Sequence, residues 1–244
     1  MNGYMKPQDI EKRSFEIITA ELGERTFPAG IAEVVKRVIH TTADFDYADS
    51  LAFSPDVIEK AKAALAAGAT VVTDTNMALS GVNKATLAKL GGKAICLMAD
   101  EQVASEAKAR GVTRAVVSME HAAKFEGPLL FAIGNAPTAL IRLHELIEEG
   151  IVAPALVIGV PVGFVNVVEA KELFIGGDTP YIIARGRKGG SNVAASIVNA
   201  LLYQMVHREG FELLSPNHGL ADKRNGPSAV PKSSESSHTE TFSL

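Results

Sequence analysis

A chain of 244 residues with 47% apolar side chains can bury one sizeable core, as one domain or two small ones. A net charge of −4 and a pI of about 5.9 exclude the basic face of a nucleic-acid-binding protein. One cysteine, Cys96, excludes an intrachain disulfide and a cysteine-rich metal site and points to the cytosol, and no apolar run is long enough to span a membrane.

The polar segment Met1–Asp9 lacks the apolar core of a signal peptide. Two amphipathic helices are expected next. Pro7–Leu22 places Ile10, Ser14, Ile17 and Ile18 on one face, and Pro28–His40 does the same with Ile31, Val34, Val35 and Val38. These helices suit packing on a sheet or on a partner subunit. Five short apolar runs follow, at Val71–Thr73, Ala94–Met98, Leu129–Ile133, Ala155–Ile158 and Tyr181–Ala184. Helical patterns precede, separate and follow them: Pro55–Ala67, Asp100–Arg110, Thr113–Lys124, Pro137–Glu149, Val165–Ile175 and Asn192–Met205. Pro at a first turn and Gly just past an end mark several boundaries. Buried strands alternating with helices mean an α/β fold with a parallel sheet covered on both faces. Cys96 sits in one of the apolar runs and is expected to be a buried thiol. From Ser215 to Leu244 the chain is rich in Ser, Pro, Asn, Gly and Lys, which predicts a disordered tail after a single domain over 1–214.

Open parallel sheets bind ligands beyond the carboxyl ends of their strands. The candidates are therefore Asp74-Thr75-Asn76-Met77, Ala99-Asp100-Glu101, Gly134-Asn135-Ala136-Pro137-Thr138, Gly159-Val160-Pro161-Val162-Gly163-Phe164 and the loop Arg185-Gly186-Arg187-Lys188-Gly189-Gly190-Ser191. The last is the most informative. Three glycines let backbone N–H groups converge, three cations surround them, and a helix start follows, so the loop suits a ligand with several negative charges. Arg114 at an expected helix start opposes the helix dipole, a mild conflict that an anionic partner would relieve. Ser14 interrupts an apolar stripe; its hydroxyl either bonds its own backbone or faces a ligand.

His40 is the strongest acid–base candidate. Lys36 and Arg37 border it and Asp44 and Asp46 follow, so its environment holds groups that push an imidazole pKa in both directions. His144 reads as a solvated mid-helix residue. His121 follows Glu120 on a helix, and His207, His218 and His238 lie at or beyond the last helix. No histidine, cysteine or carboxylate group has metal-ligand spacing, and the first strand is not followed by a dinucleotide fingerprint.

Taken together, Arg13-Ser14-Phe15, Val38-Ile39-His40, Phe53-Ser54-Pro55-Asp56, Ile133 through Leu140, Gly159 through Val165 and Arg185 through Ser191 resemble the precorrin-8X methylmutases, in the same order from about Tyr4 to Tyr203. The resemblance implies a three-layer α/β/α, flavodoxin-like fold with a five-stranded parallel sheet in the order 2-1-3-4-5, plus extra N-terminal helices. It implies a homodimer without a cofactor, acting on precorrin-8X or cobalt-precorrin-8. The reaction moves a methyl group from C11 to C12 of the corrin ring to give hydrogenobyrinate or cobyrinate. The family's catalytic histidine falls on His40, and its substrate-contacting serine and arginine fall on Ser14 and Arg114. Thr75, Met77, Asn135, Arg185, Arg187, Lys188, Gly189, Gly190 and Ser191 complete the expected substrate site. Met77, Val160 and Phe164 are expected to line an apolar cleft for the ring. The segment Asp74-Thr75-Asn76-Met77 looks more like the cobalt-first branch. The alternatives are a non-catalytic tetrapyrrole carrier and a nucleotide-dependent α/β enzyme.

Overall fold

The computed structural model describes residues 6–206. The expected tail, Ser215–Leu244, and His207, His218 and His238 lie outside the described residues. In chain order the elements are α1 (Pro7–Leu22), α2 (Ile31–Thr42), α3 (Tyr47–Ser50), β1 (Leu51–Phe53), α4 (Val57–Ala66), β2 (Thr70–Thr73), α5 (Asn76–Gly81), α6 (Lys84–Lys89) and β3 (Lys93–Cys96). They continue with α7 (Glu101–Arg110), α8 (Arg114–Ala122), β4 (Leu129–Ile133), α9 (Pro137–Glu148), β5 (Leu156–Gly159), α10 (Val167–Glu172), β6 (Tyr181–Ala184) and α11 (Ser191–Tyr203).

The sheet has six strands, not the expected five, in the order β1-β6-β5-β4-β2-β3. β2 through β6 pair in parallel, whereas β1 runs antiparallel to β6 at the edge. β1 is only three residues long and is held from both ends. Arg185 N–H donates to the Ser50 carbonyl (2.8 Å), Ser54 N–H to the Tyr181 carbonyl (3.0 Å), and Tyr181 N–H to Ser54 Oγ (2.9 Å). So short a ladder depends on its partner, which is why the local sequence carries no strand signal.

The period of two along each strand divides the core. Val71, Leu130, Leu156, Ile158 and Ile182 pack with α2, α4 and α11, while Val72, Phe131, Ile133, Val157 and Ile183 pack with α8, α9 and α10. Helices therefore cover both faces. The central strands are buried throughout, as their unbroken apolar runs require. β3 lies at the other edge, so Cys96 is half-buried instead of buried.

Other differences have local causes. The core face of α1 is Phe15, Ile18 and Leu22, while Ile10 and Ile17 are exposed at 52% and 43%. The aromatic ring displaces the two isoleucines because it packs beneath Arg37 of α2. α2 starts at Ile31, since Gly30 turns the chain at φ 82°; a Cβ there would stand 2.6 Å from Ile58. α4 and α10 start at Val57 and Val167 because Asp56 and Asn166 before them are left-handed. α5 and α6 fill a stretch for which no element was expected; Thr75 and Asn83 side chains cap them by accepting from Ala78 and Thr86 N–H.

Candidate functional site

The loops after β2, β4 and β6 meet beyond the carboxyl ends of the sheet. The tie between the first two is Asp74, a buried carboxylate directly after β2. Its Oδ1 accepts from Gly134 N–H (2.9 Å), and its Oδ2 accepts from Asn135 (2.8 Å) and Ala136 (2.6 Å). Burial pushes this carboxyl pKa up, and the three N–H donors oppose the shift without reversing it. Thr75 Oγ1 lies 2.7 Å from Ser191 Oγ, joining the β2 loop to the start of α11. Gly134 permits this meeting, since a Cβ there would stand 2.7 Å from the Gly190 carbonyl oxygen. Thr75, Asn135, Gly190 and Ser191, all expected at the site, are thus brought together. Met77, in the first turn of α5, is 73% exposed.

The β6 loop is anchored at several points. Gly190 N–H donates to the Val160 carbonyl (2.8 Å) and Gly163 N–H to the Arg187 carbonyl (3.2 Å). Gly189 has no room for a Cβ, which would overlap the Val160 carbonyl. Lys171, fully buried on α10, donates from Nζ to the carbonyls of Gly186 (2.8 Å) and Lys188 (2.9 Å). The Lys188 side chain pairs with Asp44 (2.7 Å) and Asp46 (2.6 Å), which raise its pKa and hold Asp44 below its ordinary value. Lys188 therefore ties the loop to the chain after α2. Arg185 and Arg187 are exposed and make no ion pair among the described residues; the Arg187 guanidinium lies 5.4 Å from the Phe164 ring centre. Phe164 and Val165 are exposed at 82% and 76%. Val160, expected in the cleft, is instead fully buried, because its carbonyl must face the loop while its side chain fills the core.

His40 lies near the end of α2. That helix runs antiparallel to α11: Gly30 O accepts from Gln204 Nε2 (3.0 Å) at one end, and Asp44 meets Lys188 just beyond the other. The imidazole stacks on Phe15, centroids 5.1 Å apart and planes 18° apart. Arg37 lies 4.6 Å above the same ring and 5.1 Å from the Tyr203 ring, and donates to Glu11 at 2.5 Å. Partial burial lowers the His40 pKa below 6.5; Arg37 lowers it further and Glu11 opposes both. The opposing influences visible in the sequence thus resolve downward. Ser14 neighbours Phe15, and its hydroxyl donates to the Ile10 carbonyl (3.0 Å), the backbone-bonded alternative.

Arg114 stands apart, at the start of α8, where Nη1 reaches the Met98 carbonyl beyond β3 at 3.5 Å. His121 is engaged with Glu106 (2.8 Å), and His144 is half-buried with its edge to Phe174 (5.5 Å), not solvated. Lys171 was missed as a site component, and Asp74, within a candidate segment, was given no role of its own. Asp74 had a signal, a carboxylate directly after a strand; Lys171 had one too, a cation within the apolar stripe Val167, Ala170, Lys171, Phe174.

An α/β sheet whose carboxyl-end loops gather glycines, free arginines and exposed apolar side chains suits the class of protein that takes a partly apolar, multiply anionic ligand. Residues 9–204 match the family model described as CbiC: Precorrin-8X methylmutase. The cobalt-precorrin-8 methylmutase of Salmonella typhimurium is 46% identical over 213 residues, covering 84% of this chain and 99% of that one. The precorrin-8X methylmutase of Pseudomonas aeruginosa is 40% identical, covering 80% and 94%. The crystal structure of the Thermus thermophilus precorrin-8x methyl mutase superposes with a TM-score of 0.75 at 39% identity, covering 80% and 94%. The chain belongs to the precorrin-8X methylmutase family, the isomerases of cobalamin biosynthesis.

Proposed function

We propose that the chain moves the methyl group from C11 to C12 of the corrin macrocycle with His40 as general acid and then base, and that its substrate is cobalt-precorrin-8. The observation that carries this reading is the His40 setting: a half-buried imidazole stacked on Phe15 beside a buried cation, with the anion loop tethered just beyond its helix. A methyl shift on a conjugated ring needs a proton delivered and reclaimed, and imidazole is the side chain suited to both near neutral pH. Arg185, Arg187, the N–H groups around Gly189 and Ser191, and Arg114 from the far side receive the peripheral carboxylates. Met77 and Phe164 offer apolar surface to the ring. The β2 loop Asp74-Thr75-Asn76-Met77 and the Salmonella relative's name favour the cobalt-bearing substrate. The working unit is a cytoplasmic homodimer of the single domain 1–214, needing no cofactor or metal of its own; exposed Ile10 and Ile17 on α1 supply apolar surface for the second copy. Light scattering on the purified chain tests that state.

Two outcomes follow. If His40 donates first, kcat/KM falls as pH rises through a break below 6.5, the direction in which burial and Arg37 move the imidazole. A polyanionic substrate favours imidazolium, so the matching break in kcat lies higher. A kcat/KM break above 6.5, or one on the opposite limb, contradicts the assignment. For Arg114→Ala, losing one charge-assisted bond weakens corrinoid binding roughly ten- to a hundredfold. Equilibrium titration with the corrinoid product reads this, and unchanged affinity would remove Arg114 from the site.

A further inference from the structure

We propose that Lys171 is the positioning residue of the anion loop, setting its backbone so that the N–H groups of Arg187 and Gly189 face outward as a carboxylate clamp. This rests on the reading of that loop as the corrinoid carboxylate site. Lys171 has no accessible surface, although lysine is almost never fully buried without an ionic partner. Among the described residues no carboxylate pairs with it, and burial lowers its pKa to about 8. Its ammonium instead holds two backbone carbonyls, those of Gly186 at 2.8 Å and Lys188 at 2.9 Å.

The consequence follows from peptide planarity. In a trans peptide the C=O of one residue and the N–H of the next point in opposite directions. The structure has no cis peptide bonds among the described residues. Drawing the Gly186 and Lys188 carbonyls onto one buried Nζ therefore turns the N–H groups of Arg187 and Gly189 away from it, toward the outer side of the loop. Neither N–H donates to another group among the described residues. Two such N–H groups, at i and i+2, present paired donors on one side of the loop, where an anionic group can accept from them. The left-handed Gly186 at φ 74° makes the turn, and Gly163 N–H holds the intervening Arg187 carbonyl at 3.2 Å. The exposed Arg185 and Arg187 side chains flank these donors, and the buried ammonium lies behind them. Lys171 thus acts through the loop and touches no substrate.

The first test is amide hydrogen exchange of the wild-type protein, with and without cobyrinate. Added protection at Arg187 and Gly189 is expected. Cobyrinate that binds without protecting these amides overturns the clamp, whereas absence of any binding overturns the underlying reading of the loop. The second test is Lys171→Met, which keeps length and loses the charge and donors, beside Lys171→Arg, which keeps both. Lys171→Met should raise KM and the product Kd by about tenfold or more while kcat at saturation stays within about twofold, and Lys171→Arg should recover most of the affinity. Wild-type affinity in Lys171→Met overturns the proposal, as does a fall in kcat with KM unchanged. If Lys171→Met does not fold, the exchange measurement on the wild type decides alone.

Discussion

Replacing His40 by Ala or Asn should leave corrinoid binding intact and remove most methyl migration. General acid–base groups supply about a hundred- to ten-thousandfold in rate, and the variants should lose that factor in single-turnover absorbance. Binding should survive because the proposed carboxylate contacts belong to other segments: the β6 loop, the start of α11 and Arg114 on α8. His40 itself is held by a ring stack, not by the loop, so its loss opens space beside Phe15 without releasing the Lys188 tether to Asp44 and Asp46. A variant that converts substrate at the wild-type rate overturns the catalytic assignment. Equal losses of binding and rate would make His40 a binding or structural residue.

The second large effect is on stability. Asp74→Ala removes the acceptor of three N–H groups at the start of α9. The balance has two sides. Burial disfavours the carboxylate, so its removal relieves a cost, but Gly134 N–H is left buried without a partner and the loops lose their bridge. Asn135 is exposed and its N–H can turn to water, which limits the loss. The net expectation is about 2–4 kcal/mol, a fall in Tm of roughly 4–16 °C for a domain of this size. Asp74→Asn, which keeps one acceptor oxygen, should fall between. Calorimetry or urea unfolding reads it, and a Tm within about 2 °C of wild type would show that the loops meet without this bridge.

Much of the architecture could be read locally because its central strands are buried on both faces. Such strands appear as unbroken apolar runs, and Gly or Pro marks the helix ends between them. What could not be read was whatever depends on distant partners. β1 exists because β6 lies beside it, and the short α5 and α6 are tied to α11, whose Asn199 accepts from Asn83 N–H and donates to the Gly81 carbonyl. The core face of α1 was misread for the same reason: Phe15 is buried by Arg37 of another helix, leaving Ile10 and Ile17 outside.

The candidate site divides in the same way. Glycines and arginines after β6 mark that loop as an anion-site candidate from composition alone. That Lys188 would be spent on Asp44 and Asp46, more than a hundred residues earlier, is a tertiary fact. Asp74 bridging to Gly134 and Lys171 reaching beneath its loop are likewise long-range hydrogen bonds with no local pattern. Each left only a trace, a charged residue where an apolar or turn residue would be ordinary.

The measurement closest to the central claim is an absorbance scan of the wild-type protein mixed with cobalt-precorrin-8, in parallel with precorrin-8X, followed by assignment of the migrated methyl in the product by carbon NMR. The expected result is a time-dependent spectral change with the methyl on C12, faster with the cobalt-bearing substrate. A stable complex whose spectrum stays that of the substrate, with the methyl still on C11, would mark a carrier and contradict the assignment of the chain as a methylmutase.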